Sequence, residues 1–253
     1  MSRVSAEPVW SMLPGARFDL GFVGADGRAQ RESLSQCWGA PFEYAMPARS
    51  FLSYKGQKNF TGFRWTATTG RHVGFESWLE RDNAMLLDFD PLVVGLSSQP
   101  FVLFWRDGRR ERRHTPDYFA RLADGSGLVV DVKPDRRVKG KAAEAFAVTG
   151  QACEEVGWTF RRVGELDPVY RANVRWLACY RHPRNGPAET VSRVLEAFAQ
   201  PTSLFAGASA AGVRLAVLPV VYHLLWRQVL AVDLRSEPLN SSSVVWRNTE
   251  GTI

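Results

Sequence analysis

Cysteine is scarce in this chain, with three among 253 residues. Cys37, Cys153 and Cys179 are widely spaced, odd in number and without any C-x-x-C pair. That excludes a disulfide framework and a cysteine-built zinc cluster, and it points to a reducing compartment. Long apolar runs are lacking as well. The most nearly continuous one, Leu215 to Trp226, covers twelve residues and is interrupted by Pro219 and His223. A membrane span needs about 20, so no membrane partner is expected. The N-terminal MSRVSAEPVWSMLPG has no apolar export core, and a cytoplasmic protein is expected. There is no internal repeat and no low-complexity tract. With 45% hydrophobic and 23% charged residues, the composition excludes a wholly disordered, fibrous or coiled-coil protein.

What is present is a modest basic excess, 32 Lys and Arg against 26 Asp and Glu, for a net charge of +6. Clustered cations of this kind gain affinity for polyanions by releasing counterions, although +6 also fits a protein with no such partner. Residues 1–70 show little periodicity. Within them, Ser50 to Thr69 mixes aromatics with Lys55, Lys58 and Arg64, a pattern that suits base stacking or ordinary half-buried packing.

From Phe75 the pattern sharpens. Phe75, Trp78, Leu79, Met85, Leu86 and Phe89 follow helical spacing, and Asp90-Pro91 ends the run. Three strands are predicted at Pro100–Trp105, Arg112–Leu122 and Leu128–Lys133, with turns at Asp107-Gly108 and Asp124-Gly125-Ser126-Gly127. Lys139 to Val156 reads as a helix capped by Gly157, and Trp158–Val163 as a further strand. The order helix, strand, strand, strand, helix, strand predicts a mixed α/β core.

After Asp167-Pro168 the character changes, so a domain boundary is placed between residues 165 and 166. Helices are predicted around Val191, Val194, Leu195 and Phe198, over Ala210–Leu218, and from Pro219 to about Arg227. Strands at Val229–Leu234 and Val244–Arg247 follow. Three helices and a hairpin make the parts list of a winged helix, and of many other small domains.

The chemistry concentrates at Pro116-Asp117 and, thirteen residues on, Asp131-Val132-Lys133. Side chains alternate along a strand, so Asp131 and Lys133 share a face while Val130 and Val132 take the other. Asp117, ending the preceding strand, can pair across to Asp131. Two carboxylates so placed call for a cation, and hard oxygen ligands suit Mg²⁺ or Mn²⁺. A lysine beside them can polarise a water. The competing reading makes Asp117 a turn cap and Asp131 with Lys133 a solvated pair on an edge strand.

The context, a hairpin turn between the two halves with an acidic helix before and a basic helix after, favours the metal site. Ser77-Trp78-Leu79-Glu80, Leu87-Asp88-Phe89-Asp90-Pro91, Gln99-Pro100-Phe101, Thr115-Pro116-Asp117-Tyr118-Phe119 and Val130-Asp131-Val132-Lys133-Pro134, in this order, resemble the TnsA-type endonuclease subunits of heteromeric transposases. Those belong to the PD-(D/E)xK nuclease superfamily. The resemblance covers roughly residues 70–165 and implies a restriction-endonuclease-like α-β-β-β-α-β core with a smaller, mainly helical C-terminal domain, winged-helix-like, that binds DNA or the partner.

It further implies catalytic roles for Glu80, Asp117, Asp131 and Lys133. Glu80, Asp117, Asp131 and the carbonyl of Val132 would hold one or two Mg²⁺, and Lys133 would position or deprotonate water. Asp131 stands where the best-known member of the family has glutamine. Glu76, one turn before Glu80, competes for the helix role, and periodicity sets both opposite the main apolar stripe with Leu87 on their face. Family members cut transposon 5′ ends in double-stranded DNA while a TnsB-type D-D-E integrase joins the 3′ ends, in a bacterial cytoplasm.

Two basic clusters flank the motif: Arg109, Arg110, Arg112 and Arg113, then Arg136, Arg137, Lys139 and Lys141. Beside a phosphodiesterase centre they are expected to contact DNA phosphates. His114, beside the site, reads either as a metal neighbour or, with the greater weight, as an ordinary strand residue, and Gln151 is expected to serve packing. Two rival functions remain at this stage: a stand-alone restriction or repair nuclease, and an inactive DNA-binding or assembly module.

Overall fold

A computed structural model describes residue 10 and residues 16–51 and 60–248. Lys55 and Lys58, named above as candidate stacking-segment cations, lie outside the described residues. The chain divides into two compact units. One runs through Asp88 and resumes at Leu92–Glu165; the other comprises Phe89–Pro91 and the residues from Leu166 onward.

The first unit opens with β1 (Phe18–Val23), β2 (Ala29–Ser33), a single helical turn α1 (Leu34–Cys37), β3 (Gly62–Trp65) and β4 (His72–Phe75). There follow α2 (Trp78–Phe89), β5 (Val93–Ser98), β6 (Val102–Asp107), β7 (Arg110–His114), β8 (Tyr118–Leu122), β9 (Gly127–Val132), α3 (Lys141–Glu155) and β10 (Thr159–Val163). They build two four-stranded sheets. The first has the order β2-β1-β6-β7 and is antiparallel throughout. The second has the order β10-β9-β8-β5, antiparallel except for β10, which runs parallel to β9. An α/β architecture is therefore observed, with differences from the sequence expectation that matter for the site.

The stretch Arg112–Leu122 is two strands, not one, and they belong to different sheets. Pro116 has no N–H for a ladder, so pairing stops before it and restarts at Tyr118. The strand predicted at Pro100–Trp105 is β6, whose hairpin with β7 extends the first sheet. The strand that truly follows α2 in the second sheet is β5, which the reading missed. A register shift between Val93 and Gly95 interrupts its alternation, and a Cβ on Gly95 would meet Glu43 Cβ at 2.7 Å.

The second sheet packs Tyr118, Ala120, Leu128 and Val130 against Ala84 and Leu87 of α2. Its other face places Phe119 and Val129 among Phe22, Phe101, Ala152 and Trp158. At the centre of that cluster, Phe42 meets the rings of Phe22, Phe101, Phe119 and Trp158 edge-on at 5.1–5.7 Å. Arg31, from β2, bridges Asp19 (2.9 Å) and Glu111 (2.7 Å) and lies over the Phe104 ring, tying β1, β2, β6 and β7 together. α3 ends in a left-handed Gly157 (φ 72°), as expected, with Trp158 N–H reaching back to Cys153 O.

The second unit contains α4 (Pro168–Leu177), α5 (Ala188–Ala197), β11 (Thr202–Ser203), α6 (Leu204–Ala210), α7 (Arg214–Trp226), β12 (Leu230–Val232) and β13 (Val244–Arg247). The strands form a sheet ordered β11-β13-β12. The helices expected at Ala210–Leu218 and Pro219–Arg227 are corrected to α6 and a single α7 that runs through Pro219. Near a helix start a proline removes only one ladder bond, and the Leu215 carbonyl so released belongs to a residue 81% exposed, where water can serve it. α4, unread in the sequence, begins at the same Asp167-Pro168 taken as a boundary, with Asp167 accepting the Tyr170 N–H at 2.8 Å. Among the described residues, no single helix is long and apolar enough to cross a membrane.

Candidate active site

The site forms where the chain leaves the first sheet and enters the second. β7 ends at His114, Thr115-Pro116-Asp117 crosses over, and β8 begins. Tyr118 pairs with Val130, which sets Asp117 opposite Asp131. The Asp117 carbonyl accepts the Gln99 N–H (2.8 Å), and Asp117 Oδ2 accepts the Val132 N–H (2.7 Å), so both ends of the residue are fixed. Glu80, Asp117, Asp131, Val132 and Lys133 all line one cavity of about 440 Å³, together with Arg49, Arg113, His114, Thr115 and Phe146. The expected face-sharing of Asp131 and Lys133 is present.

The carboxylates crowd one another. Burial, then the charge of Asp131, then that of Glu80 hold the Asp117 carboxyl well above the usual carboxylate range, and the Val132 N–H offsets this only in part. Burial also raises Glu80. Each carboxylate has a protein partner: Asp131 Oδ2 lies 2.8 Å from His114 Nε2, and Glu80 accepts from the Glu76 N–H (2.6 Å) and the Ser77 hydroxyl (2.8 Å).

That last pair is a capping box. Ser77 precedes α2, its hydroxyl accepts the Glu80 N–H at 3.2 Å, and the Glu80 carboxylate reaches back. Glu80 is thus both the helix cap and a wall of the cavity. Glu76 does not share its helix, because α2 starts at Trp78. It pairs with Arg49 (Oε1 to Nη1 3.0 Å) and does not line the cavity. The face that carries Glu80 is the one that buries Ala84 and Leu87 on the sheet, whereas Trp78, counted in the apolar stripe, is 52% exposed.

Asp117, Asp131 and the Val132 carbonyl are hard oxygen donors of the kind a small divalent cation takes. Among the described residues no group of three or more His, Cys, Asp or Glu side chains is gathered as a metal cluster. Two carboxylates do fit: Asp117 and Asp131 face each other and repel, the burden a cation relieves. In an extended strand a residue's N–H and C=O point to the same neighbour, so the Val132 carbonyl lies on the side where its N–H meets Asp117. A small hard cation keeps several waters and needs only one or two carboxylates from protein. Glu80, its oxygens taken by the cap, adds charge.

Of the eight cations in the two basic clusters, the structure brings Arg113 alone to the cavity wall. Arg112 turns to Asp107 (3.1 Å), Arg109 and Arg110 are exposed at the hairpin tip, and Arg136 lies 3.9 Å from Glu165. Arg137, Lys139 and Lys141 are exposed where the chain enters α3. Gln151 is not a packing residue: it is exposed and accepts from Arg17 at 3.0 Å.

His114, weighed in the sequence as a metal neighbour against an ordinary strand residue, touches Asp131, and one further residue was missed. Arg49 reaches the cavity from a loop remote in sequence, held by Glu76 and by Gln99, whose side-chain amide, turned to the orientation that satisfies both its ends, accepts from Arg49 Nη2 at 3.1 Å and donates to the Arg49 carbonyl at 3.2 Å. Gln99 itself is buried and left-handed (φ 49°). No protein-family model matches this chain, and no curated protein matches it either.

Proposed function

We propose that this chain is a metal-dependent DNA endonuclease of the PD-(D/E)xK type, acting as the TnsA-like subunit of a heteromeric transposase that hydrolyses phosphodiester bonds at transposon 5′ ends. One observation carries the reading: Asp117, Asp131 and Lys133, from two adjoining strands, converge on one polar cavity whose carboxylates repel each other. The order α2, β5, β8, β9, α3, β10, with β10 parallel to β9, supports the restriction-endonuclease-like core, with the β6–β7 hairpin as an insertion.

A bound Mg²⁺ or Mn²⁺ would supply Lewis-acid polarisation of the phosphoryl group and a more acidic water. Asp117, Asp131 and the Val132 carbonyl would hold it. Lys133 Nζ orients the attacking water and offsets charge on the non-bridging oxygens. Arg113 and Arg49 grip the flanking phosphate, and Phe146 closes one side of the cavity to solvent. The exposed hairpin and α3-entry cations give the surrounding surface its affinity for duplex DNA.

In the second unit, the order α5, β11, α6, α7, β12, β13 supports a winged helix. Val213 and Leu215, 77% and 81% exposed where α7 begins, suit a protein partner of the TnsB-type D-D-E class better than a DNA groove. The test is cleavage of DNA bearing transposon ends, with Mg²⁺ and with the partner subunit. The wild type nicks the 5′ ends and Asp117→Ala does not. Undiminished nicking by the variant overturns the site, and equal nicking of DNA without ends favours a stand-alone nuclease.

A further inference from the structure

We propose that His114 is a positioning residue that orients Asp131 for the divalent cation and fastens the basic hairpin to the site. The inference rests on the nuclease reading above. Its ground is a hydrogen bond that crosses from one sheet to the other. His114 is the last residue of β7, paired with Leu103 in the first sheet, and Asp131 belongs to β9 in the second. Their side chains meet at 2.8 Å, between Nε2 and Oδ2. A carboxylate can only accept, so Nε2 carries the hydrogen and donates it.

Asp131 is 2% exposed, so the protein groups around it do most to set the aim of its carboxylate. With Oδ2 held by His114, the other oxygen is left for the space shared with Asp117. The imidazole in turn is not free to swing: its ring stands edge-on to Phe146 at 5.9 Å, and Phe146 also walls the cavity. An unrestrained Asp131 would rotate away from the like charge of Asp117, and the donor opposes that rotation. Partners of this kind, one bond removed from the cation, set the aim of a ligand and change metal affinity by roughly 10–100-fold. Because His114 follows Arg113 and precedes the crossing to Asp117, the same bond fixes the phosphate-facing arginine relative to the carboxylates.

The test is calorimetric titration of the full chain with Mn²⁺ in the absence of DNA, on the wild type, Asp117→Asn, His114→Ala and His114→Gln. Melting temperatures in EDTA report folding. The expected result is Mn²⁺ binding by the wild type, none by Asp117→Asn, a 10–100-fold loss for His114→Ala, and recovery to within a few-fold for His114→Gln, whose amide nitrogen can stand near the Nε2 position. Wild-type affinity in His114→Ala overturns the positioning role while the nuclease reading stands. Equal weakening by Ala and Gln, with both variants folded, also overturns it, since a donor would then make no difference. Should the wild type bind no Mn²⁺, the metal-dependent reading falls, and this inference with it. If His114→Ala fails to fold, the comparison of Gln with Asn, which withdraws the donor, decides in the same way.

Discussion

Glu80 carries two duties that a pair of substitutions separates. As the cap of α2 it accepts two hydrogen bonds, from the Glu76 N–H at 2.6 Å and the Ser77 hydroxyl at 2.8 Å. Glu80→Ala leaves that N–H without its acceptor and removes a negative charge from the helix N-terminus. Lost caps cost about 0.5–2 kcal/mol and the dipole contributes about 0.3–1. Against this, the substitution relieves the repulsion that Glu80 exerts on Asp117 and Glu76, part of the reason the Asp117 carboxyl is held high. The net expectation is about 1 kcal/mol of destabilisation, or a fall of roughly 2–4 °C in melting temperature for a chain of this size. Glu80→Gln keeps an oxygen for the cap, loses the charge, and is expected to melt within about 1 °C of the wild type. Scanning calorimetry in EDTA measures both, and cleavage assays with Mg²⁺ complete the comparison. If the charge of Glu80 serves the chemistry, Ala and Gln lose activity together despite their different stabilities. Full activity in Glu80→Gln would refute that role and leave Glu80 a helix cap.

Asp117→Asn tests the crowding itself. A carboxyl raised in the folded state keeps its proton while the unfolded chain releases one. The stability it contributes is therefore present below the ordinary value near pH 4 and is lost as pH rises toward the raised value. Without divalent metal, the asparagine variant should gain on the wild type between pH 5 and pH 8 in urea titrations. A wild type that gains on the variant would contradict burial and repulsion as the cause. Thiol counting tests the packing: burial pushes Cys37 and Cys153 to about 12, while Cys179 is exposed. One thiol should react with an aromatic disulfide at pH 8 in the native protein and three in denaturant; two fast native thiols would refute the closed core.

The parts of this fold that glycine punctuates were readable. Gly108, Gly125 and Gly157 take positive φ at the expected turns and helix end, a conformation other residues rarely adopt. β9 and β10 were readable as apolar runs beside turn signals, whereas β8 was read only as the second half of a strand that is really two. β5 was not, since its Gly95 and two serines weaken a pattern already broken by the register shift. Two further signals lie in the sequence: Pro116, which breaks any continuous strand over Arg112–Leu122, and the Ser77-x-x-Glu80 box that starts α2 after Phe75. Arg49 had no local signal. Its place depends on Gln99 and Glu76, which only the tertiary fold brings to it.

A stability argument bears on whether the cavity is idle. Two acidic side chains set opposite each other across a strand pair, one of them 2% exposed, repel and lose hydration, and a protein under no functional demand would do better with neutral or apolar residues of similar size. The surrounding contacts offset that penalty only in part. Val132 gives Asp117 and His114 gives Asp131 one hydrogen bond each, Arg49 lowers the Asp117 carboxyl only in part while paired with Glu76, and Lys133 leans toward Phe146, its Nζ 6.0 Å from the ring centre. The cost is left for something outside the chain to offset. On the proposed reading a divalent cation would do this for the acidic centre, and a phosphate backbone would do it for Arg113 at the cavity wall. The two ligands need each other as well: the cation draws the phosphate into a cavity whose carboxylates would otherwise repel it. The proposed function therefore predicts that the acidic centre is most stable with cation and phosphate both bound.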